Sequence, residues 1–222
     1  MERHTTHLVW DWNGTLFHDI DAVLGATNAA FAVIGLEPIT LERYRELYCV
    51  PVPLFYERRM GRMPTDAEWL VMDEAFHRHY SEYRTRCALA DGVDGLLADW
   101  LAGGGSQSIL SMFGHDELIP LVRGFGIESH FLRVDGRKGA SRGGKSADMV
   151  RHLAALESVD PGRTVVIGDA VDDAVAARHA GARAVLYTGG SHSRGSLEAA
   201  GAGVPIVDSL AEAVEAAASL AA

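Results

Sequence analysis

From residue 91 onward, short apolar runs alternate with segments of helical periodicity, and nothing else in the chain constrains its fold as strongly. Strands are predicted over 108–112, 131–134, 164–167, 184–187 and 205–207, with helices over 93–101, 115–125, 145–156, 172–180 and 210–220. Helices of this length between strands carry the chain back across a sheet. The expected fold is therefore α/β, a doubly wound Rossmann-like parallel sheet with helices on both faces. Residues 7–11 supply one more strand at the start. Between residues 17 and 89 no strand alternation is visible. Apolar positions there recur at helical spacing over 20–36, 41–48, 54–60 and 66–86, and Pro51 and Pro53 break the chain. The expected organisation is a core of residues 1–17 and 90–222 with an all-helical cap, 18–89, inserted after the first strand.

Composition narrows the function. A chain of 222 residues with 48% hydrophobic content can bury a full core plus an insertion. A net charge of −10 argues against nucleic-acid or anionic-membrane partners, which require a basic patch. Cys49 and Cys87 make neither a disulfide scaffold nor a zinc site. No apolar run approaches the roughly 20 residues of a membrane span. Residues 1–6 lack the apolar stretch of a signal peptide, so a soluble, cytoplasmic protein is expected.

The chemistry concentrates at predicted strand ends. Asp11 follows the apolar run Leu8-Val9-Trp10 and precedes Gly14, at the carboxyl edge where open α/β sheets build their sites. A carboxylate fixed there can be a nucleophile or a ligand for a hard metal. Ser111 places a hydroxyl at the tip of the strand 108–112. Lys145 opens a helix behind Gly143 and Gly144; a cation at a helix N-terminus opposes the macrodipole unless an anion sits beside it. Lys138, the only other lysine, lies in a predicted loop, 136–139. Asp169, Asp172 and Asp173 follow the strongest strand and the turn residue Gly168. So much negative charge at a strand end needs a cation, and all-oxygen ligands favour Mg²⁺. Asp169 is placed to ligate directly; Asp173, one helical turn on, ligates or positions the ligands. Trp10 and Trp12 read as core packing, and His77 and His79 diverge on a helix and make a poor metal pair.

In order and spacing, Asp11-Trp12-Asn13-Gly14-Thr15, Ser111, Lys145 and Gly168-Asp169 through Asp173 resemble the four motifs of the haloacid-dehalogenase-like (HAD) hydrolase superfamily. The helical insertion looks like its type-1 cap, and segments 188–191 and 198–202 look like its phosphoglycolate-phosphatase-like branch. The resemblance implies a phosphatase for a small phosphorylated metabolite. Asp11 would form an acyl phosphate, with Mg²⁺ held by Asp11, the carbonyl of Asn13 and Asp169, and with Asp173 in the same acidic group. Ser111, Met112 and Lys145 would bind the phosphoryl group. Arg58, beside Arg59 in the cap segment 48–59, is the candidate for leaving-group contacts.

One position departs from the pattern. Such phosphatases carry a second acid two residues after the nucleophile, where this chain has Asn13. An amide keeps hydrogen-bond geometry but exchanges no proton near neutral pH. General acid–base catalysis is typically worth about 10²–10⁴-fold, roughly 3–5 kcal/mol. The first reading is a phosphatase for good leaving groups, or one recruiting His18 or Asp19. The alternatives are a binding or regulatory module with vestigial turnover, and a 2-haloacid dehalogenase, which needs no leaving-group proton. A phosphonatase route requires a cap lysine, and 18–89 contains none.

Overall fold

The computed structural model describes residues 6–139, 144–200 and 203–221. Its strands are β1 (His7–Trp10), β2 (Phe17–His18), β3 (Ala88–Leu89), β4 (Ser106–Gly114), β5 (Val134–Arg137), β6 (Thr164–Gly168), β7 (Arg183–Tyr187) and β8 (Ile206–Val207). Six of them form one sheet in the order β5-β4-β1-β6-β7-β8, and every neighbouring pair is parallel. The doubly wound α/β expectation holds. Buried on both faces, β1 and β6 need continuous apolar sequence, and Leu8, Val9, Trp10, Val165, Val166 and Ile167 are fully buried. One face packs Leu8, Trp10, Ile109 and Val185 with residues of α5 (Val93–Ala102), α6 (His115–Gly124) and α10 (Leu210–Ala221). The other packs Val9, Leu110 and Val166 with α7 (Gly144–Ala154) and α8 (Val171–His179).

The helical insertion comprises α1 (Ile20–Ala32), α2 (Leu41–Leu47), α3 (Val52–Met60) and α4 (Asp66–Tyr83). It has an apolar core of its own around Phe31, Tyr44, Phe55, Tyr56 and Met72. Pro51 and Pro53 do not break the chain beyond the first turn: α3 begins at Val52, and a proline there costs no hydrogen bond because helix N-termini leave their first N–H groups unpaired. Thr65 and Glu68 close a capping box on α4.

Three expectations need correction. The segment 17–89 is not wholly helical: β2 and β3 pair antiparallel, Phe17 opposite Leu89, where the chain leaves and re-enters the core. Two-residue strands carry no periodicity to read. The strand expected at 131–134 lies at Val134–Arg137, so Gly136 and Arg137 are not loop and Lys138 directly follows a strand. This is the sheet edge, where one-sided pairing removes the need for an apolar run; Leu132, which drew the prediction, is 58% exposed. Finally, β4 runs to Gly114, so Ser111 is not its tip. It sits where the register against β5 shifts, between Leu110 and Gly114.

The remaining short helix, α9 (Arg194–Ala199), packs near α2 of the insertion. Among the described residues no helix is long and apolar enough to cross a membrane.

Candidate active site

Parallel strands end together, and four of the residues singled out from the sequence meet at their carboxyl edge. The Asp11 N–H still donates to the Ile167 carbonyl (2.9 Å), continuing the β1–β6 ladder by one residue and fixing the carboxylate above the sheet. Asp11, Asp169 and Asp173 are all buried, and each offers a carboxylate oxygen within 4.8 Å of the others. Lys145, on the first turn of α7, reaches back and pairs with both Asp11 Oδ1 and Asp173 Oδ1. The anions expected at this helix start are therefore carboxylates of the chain itself. Asp173 is fully engaged, because its Oδ2 accepts from the Ala170 N–H (3.0 Å) and caps α8.

Backbone closes tightly around Asp169. Its Oδ2 accepts from the Ser191 N–H at 2.6 Å. A Cβ on Gly14, where φ is +68°, would lie 2.7 Å from that oxygen, and a Cβ on Gly190 would lie 2.1 Å away. Only glycine fits either position.

Three buried acids against one ammonium leave the cluster short of positive charge. Burial, reinforced by Asp173 and Asp169 and opposed by Lys145, pushes the Asp11 carboxyl well above its usual range. Burial and then Asp173 push Asp169 up to about 7. Burial works against the Lys145 ammonium, but Asp11 and Asp173 outweigh it and keep the lysine protonated. A divalent cation would resolve the imbalance. Asp11 Oδ2 has no hydrogen-bond partner among the described residues, Asp169 is held by Ser191, and a hard, oxygen-seeking ion fits this all-carboxylate donor set.

Asn13 belongs to a second network. Its Nδ2 donates to Asp19 Oδ2 (2.7 Å) and to the Tyr80 hydroxyl (2.8 Å), and Tyr80 donates to Asp19 Oδ2 (2.6 Å). Asp19 Oδ1 accepts from the Gly14 N–H at 2.9 Å. Asp19 is buried and its carboxyl is raised by burial, whereas His18 is exposed on β2. Tyr80 comes from α4, so the helical insertion contributes directly to the loop that carries Asp11.

The other expected residues are more dispersed. Ser111 is buried and its Oγ accepts from the Phe113 N–H (3.0 Å). The Met112 carbonyl accepts from Arg137 Nε (3.2 Å). Arg58 is exposed on α3 and donates to the Leu47 carbonyl (3.2 Å); Arg59 donates to the Glu37 carbonyl and covers Phe31. Trp10 Nε1 bonds Gln107 and Trp12 stacks on Phe17, both core roles. His115 accepts from the Gly136 N–H, and His77 pairs with Asp73 at the surface. Gly143, expected before Lys145, lies outside the described residues.

Sequence reasoning missed the aromatic face of α2. Burial and the charges of Asp169, Asp11, Asp173 and Asp172 push the Tyr48 phenol far up, just past the end of this helix. Tyr44 stacks on Tyr48 at 5.2 Å, and His192 meets Tyr48 edge-on at 5.1 Å. Arg45 clamps this helix to the core by donating to the Gly189 and Gly190 carbonyls, each at 2.8 Å. The i, i+4 tyrosine pair was a readable signal, but equally one for an ordinary core stripe.

Comparison with known proteins agrees with this geometry. Residues 143–213, which include Lys145, Asp169 and Asp173, match the HAD-hydrolase-like family model. That match, together with relatives along most of the chain, supports a HAD-like phosphatase. Phosphoglycolate phosphatase of Synechococcus elongatus is 26% identical over 193 residues, covering 87% of this chain and 88% of that protein. The Cereibacter sphaeroides enzyme of the same name is 25% identical over 187 residues, covering 82% and 85%. The tyrosine-protein kinase PtkA of Mycobacterium tuberculosis is 26% identical over 170 residues, 75% of this chain but 56% of that protein. Among solved structures, a Lactobacillus delbrueckii protein superposes with a TM-score of 0.80 at 21% identity, covering 96% of this chain and 98% of that one. A haloacid dehalogenase-like hydrolase of Streptococcus pneumoniae gives 0.77 at 16% identity, covering 96% and 98%. These structural likenesses establish the shared fold.

Proposed function

We propose that this HAD-like hydrolase is a cytoplasmic, Mg²⁺-dependent phosphatase that forms an aspartyl phosphate on Asp11. The observation that carries the reading is the split role of Asp11: Oδ1 is held by Lys145 and Oδ2 is left free, beside Asp169. The similarity to phosphoglycolate phosphatases supports the reaction class and a small phosphorylated substrate.

Asp11 Oδ2 attacks phosphorus, and the leaving oxygen departs with the P–O electron pair. Water then attacks the aspartyl phosphate at phosphorus, freeing Asp11 and inorganic phosphate and releasing one proton. Lys145 aligns the nucleophile and stabilises phosphoryl charge, with Ser111 and the backbone at Met112 completing the cradle. This suits phosphoryl transfer, which depends mainly on positioning and electrostatics. Asp11, Asp169 and the carbonyl of residue 13 would hold Mg²⁺, which would supply charge neutralisation, and Asp173 keeps Lys145 in place. Residues 18–89 act as the cap, excluding water through Tyr44 and Tyr48, with Arg58 at its margin.

The test is Mg²⁺-dependent phosphate release from acetyl phosphate and p-nitrophenyl phosphate, with Asp11→Asn as the blank. We expect turnover that falls by about 10⁴-fold or more in the blank and a hydroxylamine-sensitive phosphoenzyme in the native protein. Release that survives Asp11→Asn would overturn the nucleophile, and metal-free halide release from 2-haloacids would overturn the phosphatase. No release at all, with Mg²⁺ bound, would favour the binding module.

A further inference from the structure

The hydrogen bonds around Asn13 lead to a substrate class, resting on the aspartyl-phosphate reading. Carboxylate oxygens of Asp19 only accept, so the end of the Asn13 amide facing them must be the NH₂ group. Its two hydrogens go to Asp19 Oδ2 and the Tyr80 hydroxyl. The Tyr80 proton is committed to Asp19 as well, and both Asp19 oxygens are filled by Asn13, Tyr80 and Gly14. The amide therefore turns only its Oδ1 outward, with no partner among the described residues. Neither Asn13 nor either neighbour holding it has a proton free for a departing oxygen, and the Lys145 ammonium is divided between Asp11 and Asp173.

We propose that the Asn13–Asp19–Tyr80 network makes position 13 an acceptor only, restricting this HAD-like hydrolase to phosphoryl donors whose leaving group departs as a stable anion: acyl phosphates and phosphoanhydrides rather than alkyl phosphomonoesters. In the first step the Asp11 Oδ2–P bond forms, the bridging P–O bond breaks, and a carboxylate or phosphate anion leaves without a proton. In the second step Asn13 Oδ1 accepts a hydrogen bond from the attacking water and orients it. One of the water's protons goes to a phosphoryl oxygen of the product and the other is released to solvent, so protons balance without a general acid. The network also spans two parts of the chain, because Tyr80 from α4 orients a residue of the nucleophile loop. Tyr80 is accordingly a positioning residue.

The experiment measures kcat/KM with Mg²⁺ for acetyl phosphate, aryl phosphates of graded leaving-group acidity, and glycerol phosphate, always against Asp11→Asn. The expected result is a fall of at least about 10²-fold from acetyl phosphate to the alkyl ester. The exchange variant Asn13→Asp/Asp19→Asn moves the acid to position 13 and retains an amide partner beside it. It should raise glycerol phosphate turnover about 10²-fold and flatten the series. Asp11-dependent hydrolysis of glycerol phosphate within tenfold of acetyl phosphate would overturn the proposal and leave the phosphatase intact. So would an exchange variant that melts like the native protein and keeps the steep series. Absence of Asp11-dependent release from every compound would overturn the phosphatase reading, and this inference with it.

Discussion

The two ends of the parallel sheet treat buried polar groups in opposite ways. At the amino end, His7 on β1 sits between Ser106 and Ser108 of β4, and His152 on α7 joins Ser108 to Asp135 of β5, each contact at 2.8 Å. One proton order satisfies every atom. Ser106 donates to His7, His7 to Ser108, Ser108 to His152 and His152 to Asp135. Burial works against Asp135, but His152 and Arg133 hold its carboxyl down to about 2. At the carboxyl end, three acids share one lysine, and among the described residues Asp11 Oδ2 has no hydrogen-bond partner. Both clusters gather polar groups from the sheet and α7, yet only one is internally complete. A satisfied network rigidifies a fold, whereas an unbalanced one is retained for something that binds.

The sharpest way to break the contrast is to remove the cation at the carboxyl end. Lys145→Met leaves Asp11 and Asp173 without their counter-charge, and losing one partner of a buried pair costs about 3–5 kcal/mol. In urea unfolding the variant should be less stable by that order, and added Mg²⁺ should restore part of the loss. A variant as stable as the native protein would show that Lys145 is not what holds the acids together.

The amino end should respond to pH instead. Burial, then the charge of His152, lowers His7 to about 4 from the ordinary 6.5. The unfolded chain therefore binds more protons between those values, so stability is complete above pH 6.5 and falls as pH drops towards 4. The loss from this group is about 3 kcal/mol. His7→Asn should abolish that segment of the stability–pH curve and leave Asp11-dependent turnover at pH 7 unchanged. An unchanged acid limb would refute the lowered His7.

The smallest effect is expected at Arg58. It is exposed and bonds only a carbonyl, so Arg58→Ala should change stability by less than about 0.5 kcal/mol. Any leaving-group contact it makes would appear as a raised KM at constant kcat.

Asp11, Lys145, Asp169 and Asp173 were legible because each stands at a strand end or helix start, and strand ends of a parallel sheet converge whatever the side-chain packing. The same logic failed for β5, whose Val134-Asp135-Gly136-Arg137 sequence carries no apolar signal because it forms the sheet edge. Asp19 was visible only as an acid near Asn13. Its hydrogen bond to Tyr80 joins residues 61 apart, and nothing local specifies that meeting. Tyr48 and His192 are likewise neighbours only because Arg45 fastens α2 to the loop after β7.

The sequence by itself determined the parallel α/β sheet, the inserted helices, the acidic edge and the loss of a proton donor at position 13. These depend on periodicity, burial and residue chemistry, all written within a few residues of each other. Only the tertiary structure decided where the proton-bearing groups point. It turned the Asn13 amide towards Asp19 and Tyr80, divided Lys145 between two acids, and stacked Tyr44 and Tyr48 beside His192. Hydrogen-bond direction is set by partners distant in the chain, and only packing chooses them.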